Sequence, residues 1–229
     1  MVLRKKMISM AALSIFIASS ASLLSITGCS TVNQALGGNS EKEALMNVKW
    51  EYGTGALRLA VDADPALNNY DGQAHSVVLA IVQSADPTAF YQPIETPSAA
   101  LSTLLETGQP TPGLLQVTRY AIEPGKKTAI QLDRAQGAKY VGIIVAYYGI
   151  PLTKTAKLFN IPVTVAKKGI VVKDYNASPA VAEIQLKLGP DSILSTGISP
   201  VAPKAPATGE QPAPTTTEGI LLNGLNPSQ

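Results

Sequence analysis

Between residues 56 and 188 the apolar positions recur mostly with period two, the signature of strands with one face in a core and one in water. In 56–63, Leu57, Leu59 and Val61 fall on one face and Arg58, Ala60 and Asp62 on the other. Segments 76–84 and 139–148 are more continuously apolar and β-branched, which predicts central strands covered on both sides. Shorter candidates are 115–122, 128–132, 158–165 and 182–188; in the last, Ile184, Leu186 and Leu188 alternate with Gln185 and Lys187. Turns such as Glu123-Pro124-Gly125-Lys126 separate these seven strands. One stretch, 97–106, has helical spacing, with Leu101, Leu104 and Leu105 on one stripe, Thr96 as N-cap, Pro97 at the first position and Gly108 beyond the end. The pattern predicts a mainly antiparallel β-sandwich with a small helical insertion and no internal repeat.

The ends read differently. Arg4, Lys5 and Lys6 precede an uncharged apolar run from Met7 to Leu24, a secretory leader. It closes in Ile26-Thr27-Gly28-Cys29, which resembles the lipobox of bacterial lipoproteins. Residues 1–28 are therefore expected to be removed and Cys29 acylated. Segment 29–48 is small and polar and reads as a flexible tether. A domain is expected over 49–195, a normal size for one core. Segment 196–229, rich in Pro, Ala and Thr, reads as an unpacked tail.

Charge and chemistry narrow the function. The formal charge of +2 falls to −1 once the three leader cations are removed, and the remaining Lys and Arg are scattered, so nothing marks a nucleic-acid binder. Cys29 is the single cysteine, which leaves no disulfide within the chain. His75 is the single histidine, too few for most hydrolytic or zinc sites. Gly125-Lys126-Lys127-Thr128 lacks the first glycine of a phosphate loop, where Tyr120 stands, and Gly53-Thr54-Gly55 lacks a third glycine, where Arg58 stands. Asp62 and Asp64 could form a carboxylate pair, but read more simply as strand-edge and turn residues. No catalytic, metal or cofactor site is expected. A ligand carrier with a cleft between the sheets is the alternative to an interaction protein, and an envelope enzyme ranks third.

The run Leu67-Asn68-Asn69-Tyr70-Asp71-Gly72-Gln73-Ala74-His75-Ser76-Val77-Val78, then Gln83 and Phe90, then Ile122-Glu123-Pro124-Gly125 and the strand 140–148 ending in Ala146-Tyr147-Tyr148, follows the lipobox in a characteristic order. Over about 57–188 it resembles TssJ, the outer-membrane lipoprotein family of type VI secretion systems. Two departures are Pro151-Leu152-Thr153-Lys154, where an aromatic and basic pair is expected, and the Pro-rich tail. The resemblance implies a transthyretin-like β-sandwich, lipid-anchored on the periplasmic face of the outer membrane. It also implies binding to the periplasmic region of TssM, with TssL in the same complex. Its contact loop maps onto 64–75, with Asn68, Asn69, Tyr70, Asp71 and Gly72 as contact residues. Ser30 after Cys29 lacks the Asp associated with inner-membrane retention, in keeping with outer-membrane sorting by that resemblance.

Overall fold

The first alternating segment is strand β1 (Gly53–Ala63), with Leu57, Leu59 and Val61 buried and Arg58, Ala60 and Asp62 exposed. A computed structural model describes residues 33–95 and 99–201 and the backbone of Ile220 and Leu221. After β1 follow β2 (Val77–Ser84), helices α2 (Pro87–Glu95) and α3 (Ala99–Thr107), β3 (Leu114–Ile122), β4 (Lys127–Arg134) and β5 (Tyr140–Ala146). Then come the one-turn helix α4 (Leu152–Thr155), β6 (Ala156–Asn160), β7 (Val163–Lys168), β8 (Asp174–Pro179), β9 (Ala182–Leu188), β10 (Ile193–Pro200) and β11 (Ile220–Leu221). A short helix α1 (Glu41–Met46) precedes β1.

Nine of the described strands form two sheets, β10-β9-β1-β4 and β11-β3-β2-β5-β6, and β7 and β8 form a separate hairpin. Pairing is antiparallel except for β1 and β9, which run parallel with Leu57 opposite Ala182 and Ala63 opposite Leu188. The sandwich is thus mainly antiparallel, as expected, with this one parallel pair where the late strand β9 returns beside the first.

The main core holds Leu57, Leu59 and Val61 with Ile184, Leu186 and Leu188 from one sheet, and Val77, Leu79, Ile81, Val141, Ile143 and Val145 from the other. A second cluster lies on the outer face of the five-stranded sheet, where Phe90, Ile94 and Leu104 of α2 and α3 cover Ala80, Val82, Val117 and Ile144. Strands β2 and β5 are thus apolar on both faces, the reason for their unbroken apolar runs. The helix is seated by Gly142, since a Cβ there would come within 2.2 Å of the Phe90 ring. Gln83, fully buried on β2, links the sheets: its Nε2 donates to the Asp133 carbonyl at 2.8 Å and its Oε1 accepts from Ala135 N–H at 2.8 Å.

Several boundaries move. The helix expected over 97–106 is α3, with Thr96 and Pro97 outside the described residues. Helix α2 has no clear helical spacing in the sequence, because Pro93 interrupts a short apolar stripe; the family resemblance alone implied a short helical region around Phe90. Segment 158–165 divides at Ile161-Pro162, where proline cannot extend the β5–β6 ladder, so β6 stays in the sheet and β7 leaves it.

The expected tether carries structure from residue 33. Ser40 and Glu43 form a capping box, Oγ accepting from Glu43 N–H at 3.2 Å and the carboxylate accepting from Ser40 N–H at 2.7 Å, and α1 packs on the β7–β8 hairpin. The expected tail start at 196 falls inside β10, whose backbone pairs with β9 through Pro200 opposite Ala182. Among the remaining tail residues, Ile220 and Leu221 pair with Ala121 and Tyr120 of β3.

Candidate functional site

At the end of the sandwich where β1 finishes, four connections meet: 64–76, 123–126, 147–151 and 189–192. Asp64 ties the first of them to the second and to the end of β9. Its N–H donates to Leu188 O at 2.9 Å, its carbonyl accepts from Leu67 N–H at 2.9 Å and Gly125 N–H at 3.1 Å, and its Oδ1 accepts from Ala66 N–H at 2.8 Å. Asp64 therefore closes an Asx turn, while Asp62 lies outward between Lys127 and Lys187 on the neighbouring strands. The two carboxylates do not share a site.

Beyond this turn Leu67 is fully buried and pins the loop to the core. Asn68 follows with φ +49°, a left-handed conformation that asparagine tolerates better than other side chains. It is buried, its Oδ1 accepts from Tyr148 N–H at 2.7 Å, and its Nδ2 donates to Ser76 O at 3.3 Å. Asn69 is exposed, and its N–H donates to Pro190 O at 2.9 Å. Tyr70 and Gln73 exchange backbone hydrogen bonds of 3.0 and 3.1 Å around Asp71 (φ +52°) and Gly72 (φ +72°). Two successive positive φ values make the tight hairpin turn that Asp-Gly favours.

This turn presents Tyr70 between two other rings. Its centroid lies 4.1 Å from that of His75, with 23° between the planes, and 4.2 Å from that of Tyr148, with 22°. Tyr70 is 40% and Tyr148 67% exposed, so one side of the stack faces water. His75 is half-buried, and its Nδ1 is buried without a hydrogen-bond partner. The preceding Tyr147 points inward instead, donating its hydroxyl to Ser192 O at 2.9 Å, and burial raises its pKa.

Of the five residues assigned to the contact, Asn69, Tyr70, Asp71 and Gly72 are exposed together on this loop. Asn68 is not a surface residue but a support for Tyr148. Tyr70, which the sequence presents as an isolated large side chain, is the middle of a stack. Sequence reasoning missed Tyr148; the one available signal was the Tyr147-Tyr148 pair ending an apolar strand, where alternation turns one ring inward and the next outward. Cys29 lies outside the described residues. Among the described residues no group of three or more His, Cys, Asp or Glu side chains is placed to hold a metal, and no helix is long and apolar enough to cross a membrane.

A profile of the family of type VI secretion lipoproteins that includes VasD, EvfM and TssJ matches residues 55–186. No curated protein matches the chain in sequence. Among solved structures the chain is similar to the type VI secretion lipoprotein TssJ1 from Pseudomonas aeruginosa, at 17% identity and TM-score 0.45 over 66% of this chain and 98% of that one. It is also similar to Serratia marcescens Lip, a membrane-bound component of the type VI secretion system, at 18% identity and TM-score 0.40 over 65% of this chain and 98% of that one. A chain of the structure described as the TssM C-terminal domain from EAEC matches at 17% identity and TM-score 0.43, over 63% and 98% of the two chains.

Proposed function

Because the chain belongs to the type VI secretion lipoprotein family, we propose that it anchors the trans-envelope complex of such a system at the outer membrane by binding the periplasmic region of TssM. In this reading Cys29 carries the acyl chains, the domain lies on the periplasmic side, TssL belongs to the same complex, and the protein catalyses no reaction. The observation that carries the contact is the His75–Tyr70–Tyr148 stack, half-exposed on a loop that Leu67 and Asn68 hold rigidly. Rings fixed before binding lose little entropy on docking, and aromatic anchors carry a large share of interface energy. The ligand-carrier alternative needs room between the sheets, and that layer is filled by Leu57, Leu79, Ile143 and Ile184.

The test is titration calorimetry of the chain lacking its leader against the periplasmic fragment of TssM. Tyr70→Ala is expected to weaken binding at least tenfold, about 1.4 kcal/mol, with the melting curve retained. Tyr70→Phe, which keeps the stack, is expected to stay close to wild type. Wild-type affinity in folded Tyr70→Ala would move the contact away from this loop, most naturally to a strand edge.

A further inference from the structure

The β7–β8 hairpin stands apart from both sheets, and its tip carries an unusual surface. Ile170 is 95% and Val171 81% exposed, the two most exposed large apolar side chains among the described residues. Lys167, Lys168 and Lys173 flank the tip against one acid, Asp174, which stands opposite Lys168. Adjacent aliphatic side chains presented to water at a turn, ringed by cations, suit an interface that is apolar beneath and anionic above.

The chain's N-terminal segment is tied to this tip. Asn33 Oδ1 accepts from Lys173 N–H at 2.6 Å and its Nδ2 donates to Lys173 O at 2.9 Å; Asn39 makes the same double contact with Tyr175, at 2.6 and 2.8 Å. Three residues separate Asn33 from Cys29, so the cysteine is at most about 14 Å from Asn33, and Ile170 is at most about 11 Å from Lys173. An acylated Cys29 would hold the lipid surface within reach of Ile170 and Val171.

We propose that the β7–β8 tip is a second membrane contact, Ile170 and Val171 entering the headgroup region of a bilayer containing anionic phospholipid while Lys167, Lys168 and Lys173 meet its phosphates. The proposal rests on the reading of Cys29 as the lipidated residue, and its consequence is orientation. The hairpin joins the sandwich where Ala180 N–H donates to Pro162 O, beside the start of β9, which pairs parallel to β1. The aromatic stack lies past the other end of this pair, about 20 Å along β1 from Leu57, opposite Ala182, to Ala63. Two points of attachment therefore fix the domain with its stack facing away from the lipid, toward a partner spanning the periplasm. A single acyl tether would leave the domain free to tumble.

The test uses the mature acylated protein in vesicles of phosphatidylethanolamine and phosphatidylglycerol with brominated acyl chains. With Cys29 acylated, Ile170→Cys supplies one free thiol for a fluorophore, and Glu123→Cys supplies another at the far end. Quenching at position 170 and none at 123 is the expected result. Equal quenching at both, or none at 170 while the extracted chain carries the mass of its acyl groups, overturns the proposal. The leaderless chain beginning at Ser30 gives a separate arm: weak, salt-sensitive retention on phosphatidylglycerol vesicles, reduced at least tenfold by Ile170→Asp with Val171→Asp. If the extracted chain lacks acyl mass, the lipidation reading fails, and this arm alone decides whether the hairpin binds lipid. Retention unchanged by the double substitution would refute the contact.

Discussion

Asn68 provides the sharpest check on how the interaction end is held, because its side chain and backbone make separable contributions. Replacement by alanine removes the 2.7 Å bond to Tyr148 N–H, about 1–1.5 kcal/mol, and the longer bond to Ser76 O, which adds little. It also leaves a Cβ-bearing residue without a local polar side chain at φ +49°, about 1 kcal/mol more. The expected loss for Asn68→Ala is thus about 2–3 kcal/mol. Asn68→Gly loses the same bonds but accepts the positive φ, so its loss should be nearer 1–1.5 kcal/mol. Asn68→Asp keeps the acceptor for Tyr148 and sets a second acceptor against the Ser76 carbonyl, an intermediate case. Urea unfolding followed by far-ultraviolet circular dichroism measures the losses, and the near-ultraviolet tyrosine signal reports the stack. If glycine costs as much as alanine, the backbone argument is wrong; if the tyrosine signal survives in all three variants, Asn68 does not position Tyr148.

Two further predictions follow from the strand boundaries and from one carboxylate. Among the described residues, truncation after Val201 removes the two-residue pairing of β11 and is expected to cost under about 1 kcal/mol, whereas truncation after Ser192 also removes β10 and the packing of Ile193 and Ile198, on the order of 3 kcal/mol; equal effects in a thermal melt would contradict the β10 assignment. Asp133 accepts from the Tyr52 hydroxyl and, at 2.7 Å, from Gly55 N–H, which hold its pKa below the ordinary value of 3.8. Its contribution is present above the unfolded-state value and lost as pH falls through the lower folded-state value, so Asp133→Asn should lower stability at neutral pH and flatten the decline below about pH 4. An unaltered acid limb in the variant would show that another group controls it.

Much of this fold is visible along the chain because burial leaves a local trace. β9 occupies the predicted 182–188, and β1, β2 and β5 were marked by their alternating or unbroken apolar runs, since each strand's facing is written in consecutive side chains. The Ser40–Glu43 capping box was equally local and readable, though the small polar composition around it masked it. Strands β8 and β10 left no such trace: they are edge or hairpin strands, rich in Asp, Asn, Ser, Thr, Gly and Pro, and keep only part of one face in the core.

The loop 64–75 and its Asp71-Gly72 turn were likewise set by neighbouring residues, as was the family resemblance. What only the tertiary structure decided is which distant segments meet. The parallel pairing of β1 with β9 joins residues 57 and 182, the bond from Asn68 to Tyr148 spans 80 positions, and the ties from Asn33 to Lys173 span 140. Periodicity reports that a side chain faces a core but carries no label for the partner it faces. That choice is made by the packing of two whole sheets, where a register is accepted only if every buried side chain and every backbone hydrogen bond along it is satisfied together.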